Sequence, residues 1–266
     1  MKKSWWMLGV SAILSVGLLV GCGGDDADQL VSFEIPTEGE LGSAIAFPKG
    51  SELVEPFNQT LNELIESEEM DELVLKWFAG EVEETDAATE ETEPTDAETT
   101  LVMGTSADYP PYESVDLATG EIIGFDIDIA KYITEELGYG LQIEDMDFNA
   151  LIPAMESGRV DFVLAGMTPT EERKENVDFS DVYYEATNLI VSKESANLSS
   201  LEDLEGLKVG VQLGSIQEEE ADELAEEYGF EVVKLNRIPE IMQELQAGRI
   251  DAVLMEDTVA EGHLAQ

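Results

Sequence analysis

Positive charge is scarce in this sequence. Thirteen Lys and Arg stand against 60 Asp and Glu, giving a net charge of −47 over 266 residues. A surface that negative repels phosphate backbones and argues against nucleic acid as a partner. Cys22 is the single cysteine, so no disulfide can form within the chain. The single histidine, His263, is the fourth residue from the end, which leaves no His-based triad and no His-rich metal site. There is no Walker loop or dinucleotide fingerprint, and the carboxylates nowhere take the EF-hand spacing. No cofactor and no catalytic residue are therefore expected. What remains is 43% hydrophobic residues, enough for packed cores, in a chain long enough for two lobes.

The first 21 residues read as a signal peptide, with the basic start Met1-Lys2-Lys3 and an apolar stretch within Ser4 to Gly21. The run Leu19-Val20-Gly21-Cys22 resembles a bacterial lipobox, which makes Cys22 a lipidation site, 22–28 a tether and the extracellular face of the cell membrane the expected location. A retained membrane anchor, with Cys22 an ordinary apolar residue, is the alternative. From Glu81 to Thr100 nine acids and no Lys or Arg mark a solvated linker. It separates a short block, Gln29 to Gly80, from a long one, Leu101 to Gln266.

In the short block Ser43 to Phe47 reads as a strand. Apolar residues at Leu53, Val54, Phe57, Leu61, Leu64 and Ile65, then Leu73 to Phe78, predict two amphipathic helices that need a partner. The long block alternates strand-like runs (101–104, 162–165, 208–211, 252–255) with helical patterns such as 126–137 and 238–247, which predicts an α/β fold. An internal echo adds to this: Ser157-Gly-Arg-Val-Asp-Phe-Val-Leu164 matches Ala247-Gly-Arg-Ile-Asp-Ala-Val-Leu254. Two related α/β lobes would form a cleft, with ligands held beyond the carboxyl ends of the strands, at 166–168 and 256–258.

Arg173 lies just past one such strand end. Its guanidinium could grip a carboxylate with two parallel hydrogen bonds, or could form a surface ion pair with Glu171 or Glu172. Glu256 ends the corresponding strand of the other lobe and could take an ammonium group, or be one more solvated acid. Tyr109, Tyr112 and Phe148 could pack a ligand or simply fill a core.

Five stretches together resemble the extracellular solute-binding proteins of polar amino-acid ABC transporters: Gly104-Thr-Ser-Ala-Asp-Tyr-Pro-Pro-Tyr-Glu113, Gly124 to Ala130, Met146 to Pro153, Ala165-Gly-Met-Thr-Pro-Thr-Glu-Glu-Arg173 and Val177 to Asp181. The resemblance implies a two-lobed type II periplasmic-binding-protein fold with two hinge crossings. Its partners would be a free L-amino acid, a membrane permease and, through the lipid, the membrane. It gives Arg173 the ligand α-carboxylate, helped by backbone N–H groups at Thr168 and around Ser215 and Ile216. Glu256, where relatives usually carry Asp, takes the α-ammonium together with the Gly166 carbonyl, beside Ala165, and the Thr168 hydroxyl. Tyr109 and Phe148 match an aromatic clamp, and Ser106 and Gln212 occupy specificity positions. The absence of a Lys at 212 leans the ligand towards arginine or lysine, then glutamine, with Asp108 as an extra acid. The absence of Asp at 106 argues the other way.

The segment Gly42 to Gly80 resembles the family's carboxyl-terminal end yet comes first, so the chain looks circularly permuted. On that basis 29–42 and 191–266 form a small lobe, 43–80 and 101–190 a large lobe, and the hinge strands lie near 188–191 and 42–46. A monomer is expected, with a swapped dimer as the alternative. A prephenate-type dehydratase on the same fold, with Glu256 as general acid, and a ligand-sensing receptor subunit are the rival functions. The acidity itself reads as adaptation to high salt.

Overall fold

The computed structural model describes residues 29–36, 42–79, 97 and 99–264. The signal segment, Cys22, the tether and nearly all of the acidic linker lie outside the described residues.

Two five-stranded sheets organise the chain. In the first, β3 (Thr100–Thr105) lies between β7 (Gly140–Asp145) and β8 (Phe162–Val163), parallel to both. Antiparallel β2 (Gly42–Pro48) and β9 (Val177–Glu185) complete it. In the second, β11 (Lys208–Gln212) lies between β12 (Glu231–Leu235) and β13 (Ala252–Glu256), again parallel to both. Antiparallel β10 (Asn188–Lys193) and β1 (Leu30–Glu34) complete that one. A small antiparallel sheet joins β4 (Asp108–Tyr109), β5 (Glu113–Val115) and β6 (Ile122–Ile123). The two large sheets thus share one topology, and each takes a strand from the block that precedes the linker.

The sequence echo falls on equivalent places. It runs from the end of α4 (Leu151–Glu156) into β8, and from the end of α7 (Ile238–Gln246) into β13. Its aspartates perform one task twice. Asp161 accepts the Val102 N–H at 2.7 Å and Asp251 accepts the Lys208 N–H at 2.9 Å, each tying its strand to the start of the neighbouring parallel strand. The repeat is therefore a strand-registration device.

The short block's helices form because their apolar residues recur on one face, and they pack within the chain on the first lobe. Phe57, Leu61 and Leu64 of α1 (Val54–Ile65) are fully buried, each burial worth roughly 1.5–3 kcal/mol. The Phe57 ring sits 5.0 Å from Phe162 and 5.5 Å from Phe47. In α2 (Glu68–Phe78) acids fill the first turn and Lys76 the last, the arrangement that complements the helix dipole. Phe78 at its end stacks on Tyr184 at 4.2 Å and meets Phe125 at 5.0 Å. Phe125 opens α3 (Phe125–Glu136), so the block is joined to the lobe by an aromatic cluster.

The hinge placement needs correction. Residues 188–191 and 42–46 are buried sheet strands, held by pairings such as Asn188 with Glu256 and Ser43 with Tyr184. The chain crosses between the sheets just before each strand, at Ala186-Thr187 and between Pro36 and Gly42. The lobe boundary therefore falls at 186–187 rather than 190–191, because β10 is wholly part of the second sheet. Thr187 is fixed to Asp257, the first residue of α8 (Asp257–Leu264), by N–H and hydroxyl bonds of 3.2 and 2.8 Å.

Candidate functional site

The loops that leave β8 and β13 face each other between the lobes. They form a narrow cavity lined by Tyr109, Phe148, Ala165, Gly166, Thr168, Arg173, Gln212, Ser215, Ile216, Gln217 and Glu256. It adjoins a wider groove of about 520 Å³ that shares Phe148, Arg173, Ser215 and Ile216 and has Glu172, Glu218, Glu219, Asp222 and Glu223 on its wall. Ten of the eleven ligand positions expected from the sequence thus come together.

Ser106 is the exception. It is fully buried and donates to Asp108 Oδ1 at 2.8 Å. The other oxygen of Asp108 accepts the Ile238 N–H of the second lobe at 2.8 Å. Neither residue lines the cavity, and Asp108 is a bridge between lobes rather than a free acid for a cationic side chain.

Arg173 is held in α5 (Glu171–Asn176), whose first turn is capped by the Thr170 hydroxyl accepting the Arg173 N–H at 3.2 Å. Its guanidinium donates to the carbonyls of Thr168 at 2.8 Å and Gly214 at 2.9 Å, and lies 5.4 Å from the centre of the Phe148 ring. The surface pairing with Glu171 belongs to Lys174 instead, at 2.9 Å. Burial lowers the Arg173 pKa to about 10, opposed by Glu219, Glu172 and Glu256, so the group stays cationic at neutral pH. It lies close to the amino end of α6 (Ile216–Tyr228), capped by the Ser215 hydroxyl accepting the Glu218 N–H at 3.2 Å. A guanidinium beside the positive end of a thirteen-residue helix is a place for an anion.

Glu256 is only 3% exposed, and its Oε2 has no hydrogen-bond partner among the described residues. Burial raises its pKa to about 8; a hydrogen bond with Tyr112 pulls the other way, while Asp257 and Asp126 add to the rise. It is not one more solvated acid. A buried, unsatisfied carboxyl group facing a cavity calls for a donor, and an ammonium group would supply it.

Tyr109 and Tyr112 stack with ring centres 5.7 Å apart. Tyr109 lines the cavity, whereas Tyr112 is fully buried and fills the core. Gly166 takes φ 55°, a conformation that favours glycine, and a Cβ there would come within 3.4 Å of the Tyr109 ring. Its N–H donates to Asp126 Oδ2 at 2.9 Å, while Asp126 Oδ1 accepts the Tyr183 hydroxyl at 2.8 Å. Burial raises Asp126 to about 7. Glu113 beside it is pushed up by burial first and by Asp126 second. Gly214, at φ 82°, brings the second lobe against the first, since a Cβ there would lie 2.9 Å from Asn149 Cβ.

Gln212 donates to the Asn236 carbonyl at 3.3 Å. Gln217, which sequence reasoning missed, donates to Asn188 Oδ1 at 2.9 Å and so ties the cavity wall to β10. Its place one residue beyond Ile216 in the first turn of α6 was the available signal. Among the described residues no group of His, Cys, Asp and Glu is placed to hold a metal ion.

Known proteins resemble this chain in sequence and in fold. The family model for bacterial extracellular solute-binding proteins, family 3, matches residues 101–228. The arginine-binding extracellular protein ArtP of Bacillus subtilis is 54% identical over 163 residues, 61% of this chain and 63% of that protein. The histidine-binding periplasmic protein of Escherichia coli is 34% identical over 166 residues, 62% of this chain and 64% of its own. The matched stretch therefore spans less than two thirds of either relative. Among solved structures, an ancestral arginine-binding protein bound to arginine is 47% identical, with a TM-score of 0.61 over 64% of this chain and 75% of that one. The α/β lobes, the facing strand ends and these similarities agree: the chain belongs to the bacterial extracellular solute-binding proteins, family 3.

Proposed function

We propose that the protein is a lipid-anchored receptor that captures a free L-amino acid between its lobes by hinge closure and presents it to an ABC permease. Arginine is the favoured ligand, then lysine and glutamine. The observation that carries this reading is the placing of a cation and a buried acid on one interlobe cavity, the guanidinium of Arg173 and the carboxyl group of Glu256, which an incoming ammonium group would ionise. That arrangement is complementary to a zwitterion. The names of the relatives add arginine and histidine as ligands of similar proteins. Cys22 would carry the lipid.

The chain is best understood as a circular permutation. The block before the linker supplies β1 to one sheet and β2 to the other, while matches that follow chain order stop at 61–64% of its length. On this reading the anchor tethers the second lobe, and the acidic linker joins ends that lie at the surface of the first.

A thermal-shift panel of the twenty amino acids tests the proposal, because a ligand at 100 times its Kd adds about 2.7 kcal/mol of stability. Arginine is expected to give the largest shift, and no shift with any amino acid would refute the reading. The raised pKa of Glu256 favours one competitor, a dehydratase using that residue as general acid. Turnover of prephenate-like acids without amino-acid binding would decide for it.

A further inference from the structure

Arg237, at the N-cap position of α7 in the second lobe, is not part of the cavity wall, yet its side chain reaches the first lobe. Nε donates to Asp147 Oδ1 at 2.7 Å, and Nη1 and Nη2 donate to Asp145 Oδ1 and Oδ2 at 2.9 and 3.4 Å. Nη1 also lies 3.7 Å from Asp108 Oδ1. The adjacent Ile238 N–H donates to Asp108 Oδ2 at 2.8 Å. Three carboxylates of one lobe thus converge on one cation and one helix amino end of the other.

The receiving side is fixed in place. Asp145 Oδ1 accepts the Ala107 N–H at 2.9 Å, and Asp108 accepts the Ser106 hydroxyl at 2.8 Å. The Arg237 side chain is 23% exposed and that of Asp108 7%, so the group is partly withdrawn from water and its Coulomb attraction is less diluted than that of a surface pair. Asp145 and Asp147 stabilise the Arg237 cation against the cost of its burial. Separating the lobes breaks every contact that Arg237 and Ile238 make with these carboxylates, and none of them involves a ligand.

We propose that Arg237 and the carboxylates of Asp145, Asp147 and Asp108 form an ionic latch that sets how readily the lobes close, making Arg237 a positioning residue for ligand capture. This rests on the hinge-closure reading above. The latch acts by mass balance, since apparent affinity scales with the fraction of molecules in the binding-competent form. Among so many acids, a cross-lobe cation also offsets the mutual repulsion of the facing surfaces.

The test combines small-angle scattering of the ligand-free protein with titration of L-arginine, for the parent, Arg237→Gln, Arg237→Lys and Asp147→Asn. Arg237→Gln is expected to shift the ligand-free protein towards the open form and to raise the apparent Kd by about tenfold in dilute buffer. Arg237→Lys recovers part of the loss. The ratio of variant to parent Kd shrinks towards one in molar KCl, where the latch is screened; a purely structural role would leave that ratio independent of salt. Asp147→Asn, altering a carboxylate that is 40% exposed, repeats the effect more weakly and keeps the test open if Arg237→Gln does not fold. Unchanged scattering and unchanged Kd in a folded variant overturn the latch. If the parent binds none of the twenty amino acids, the functional reading fails, and the scattering comparison still decides whether the latch exists.

Discussion

The guanidinium of Arg173, on the first lobe, donates to the carbonyl of Gly214, on the second, at 2.9 Å. One side chain therefore spans the cleft at the amino end of α6, and another of its five N–H donors goes to its own lobe's Thr168 carbonyl. Carbonyls are weaker acceptors for a guanidinium than a carboxylate, which carries full charge and matches the fork geometry. A ligand carboxylate gives this cation a better partner without moving its backbone. Arg173→Ala is expected to weaken arginine binding by roughly 30- to 4,000-fold, the range for deleting one member of a buried charge pair. Arg173→Lys keeps the charge but loses the fork and should recover only part of that. Equilibrium titration of both variants checks this, and parent-like affinity in Arg173→Ala would remove Arg173 from the site.

Glu256 holds its proton to about pH 8 in the empty cavity. An ammonium group placed against it favours the carboxylate, so binding near pH 7 should release a proton. Calorimetry in buffers of different ionisation enthalpy measures that release directly. Glu256→Gln should abolish most of it and weaken binding, whereas an unchanged proton count would show that another group titrates.

The same burial sets the pH dependence of stability. Glu256 titrates near 4.5 when unfolded and about 8 when folded, and Asp126 moves from 3.8 to about 7. Between these values the folded chain binds more protons than the unfolded one, so stability falls as pH rises, by about 1.4 kcal/mol per pH unit for each proton held. The ligand-free melting temperature should therefore drop from pH 5 to pH 8, with a shallower slope in Glu256→Gln. A melting temperature that rises over that window would contradict the burial of both acids.

Salt should act in the opposite sense on the whole molecule. A net charge of −47 repels itself over distances that shrink from about 10 Å in 0.1 M salt to about 3 Å in 1 M. We expect the melting temperature to climb with KCl, and equal melting in dilute and molar KCl would rule out high-salt adaptation.

Much of this was legible in the sequence because it depends on local pattern. The echo, repeated at an offset of 90 residues, located both strand ends, and with them Gly166, Thr168 and Glu256; Arg173 stood out by its place just past one of them. What was not legible depends on distances between lobes. Arg237 lies 92 residues from Asp145 and 130 separate Asp108 from Ile238, so neither pairing leaves a trace in spacing. Ser106 and Asp108 seemed available to a ligand only because their mutual bond, and the bridge to Ile238, form in three dimensions. The lobe boundary was misplaced by a few residues because the buried apolar run of β10 begins immediately after the crossing, and nothing in Ala186-Thr187 marks the change of sheet.

The central claim is that one amino acid is bound between Arg173 and Glu256. Titration of L-arginine into the purified chain at neutral pH, followed by calorimetry and by scattering, tests it most directly. The account predicts saturable binding of one arginine per chain, accompanied by a more compact particle. Absence of binding heat, with scattering unchanged by arginine or any other amino acid, would contradict it.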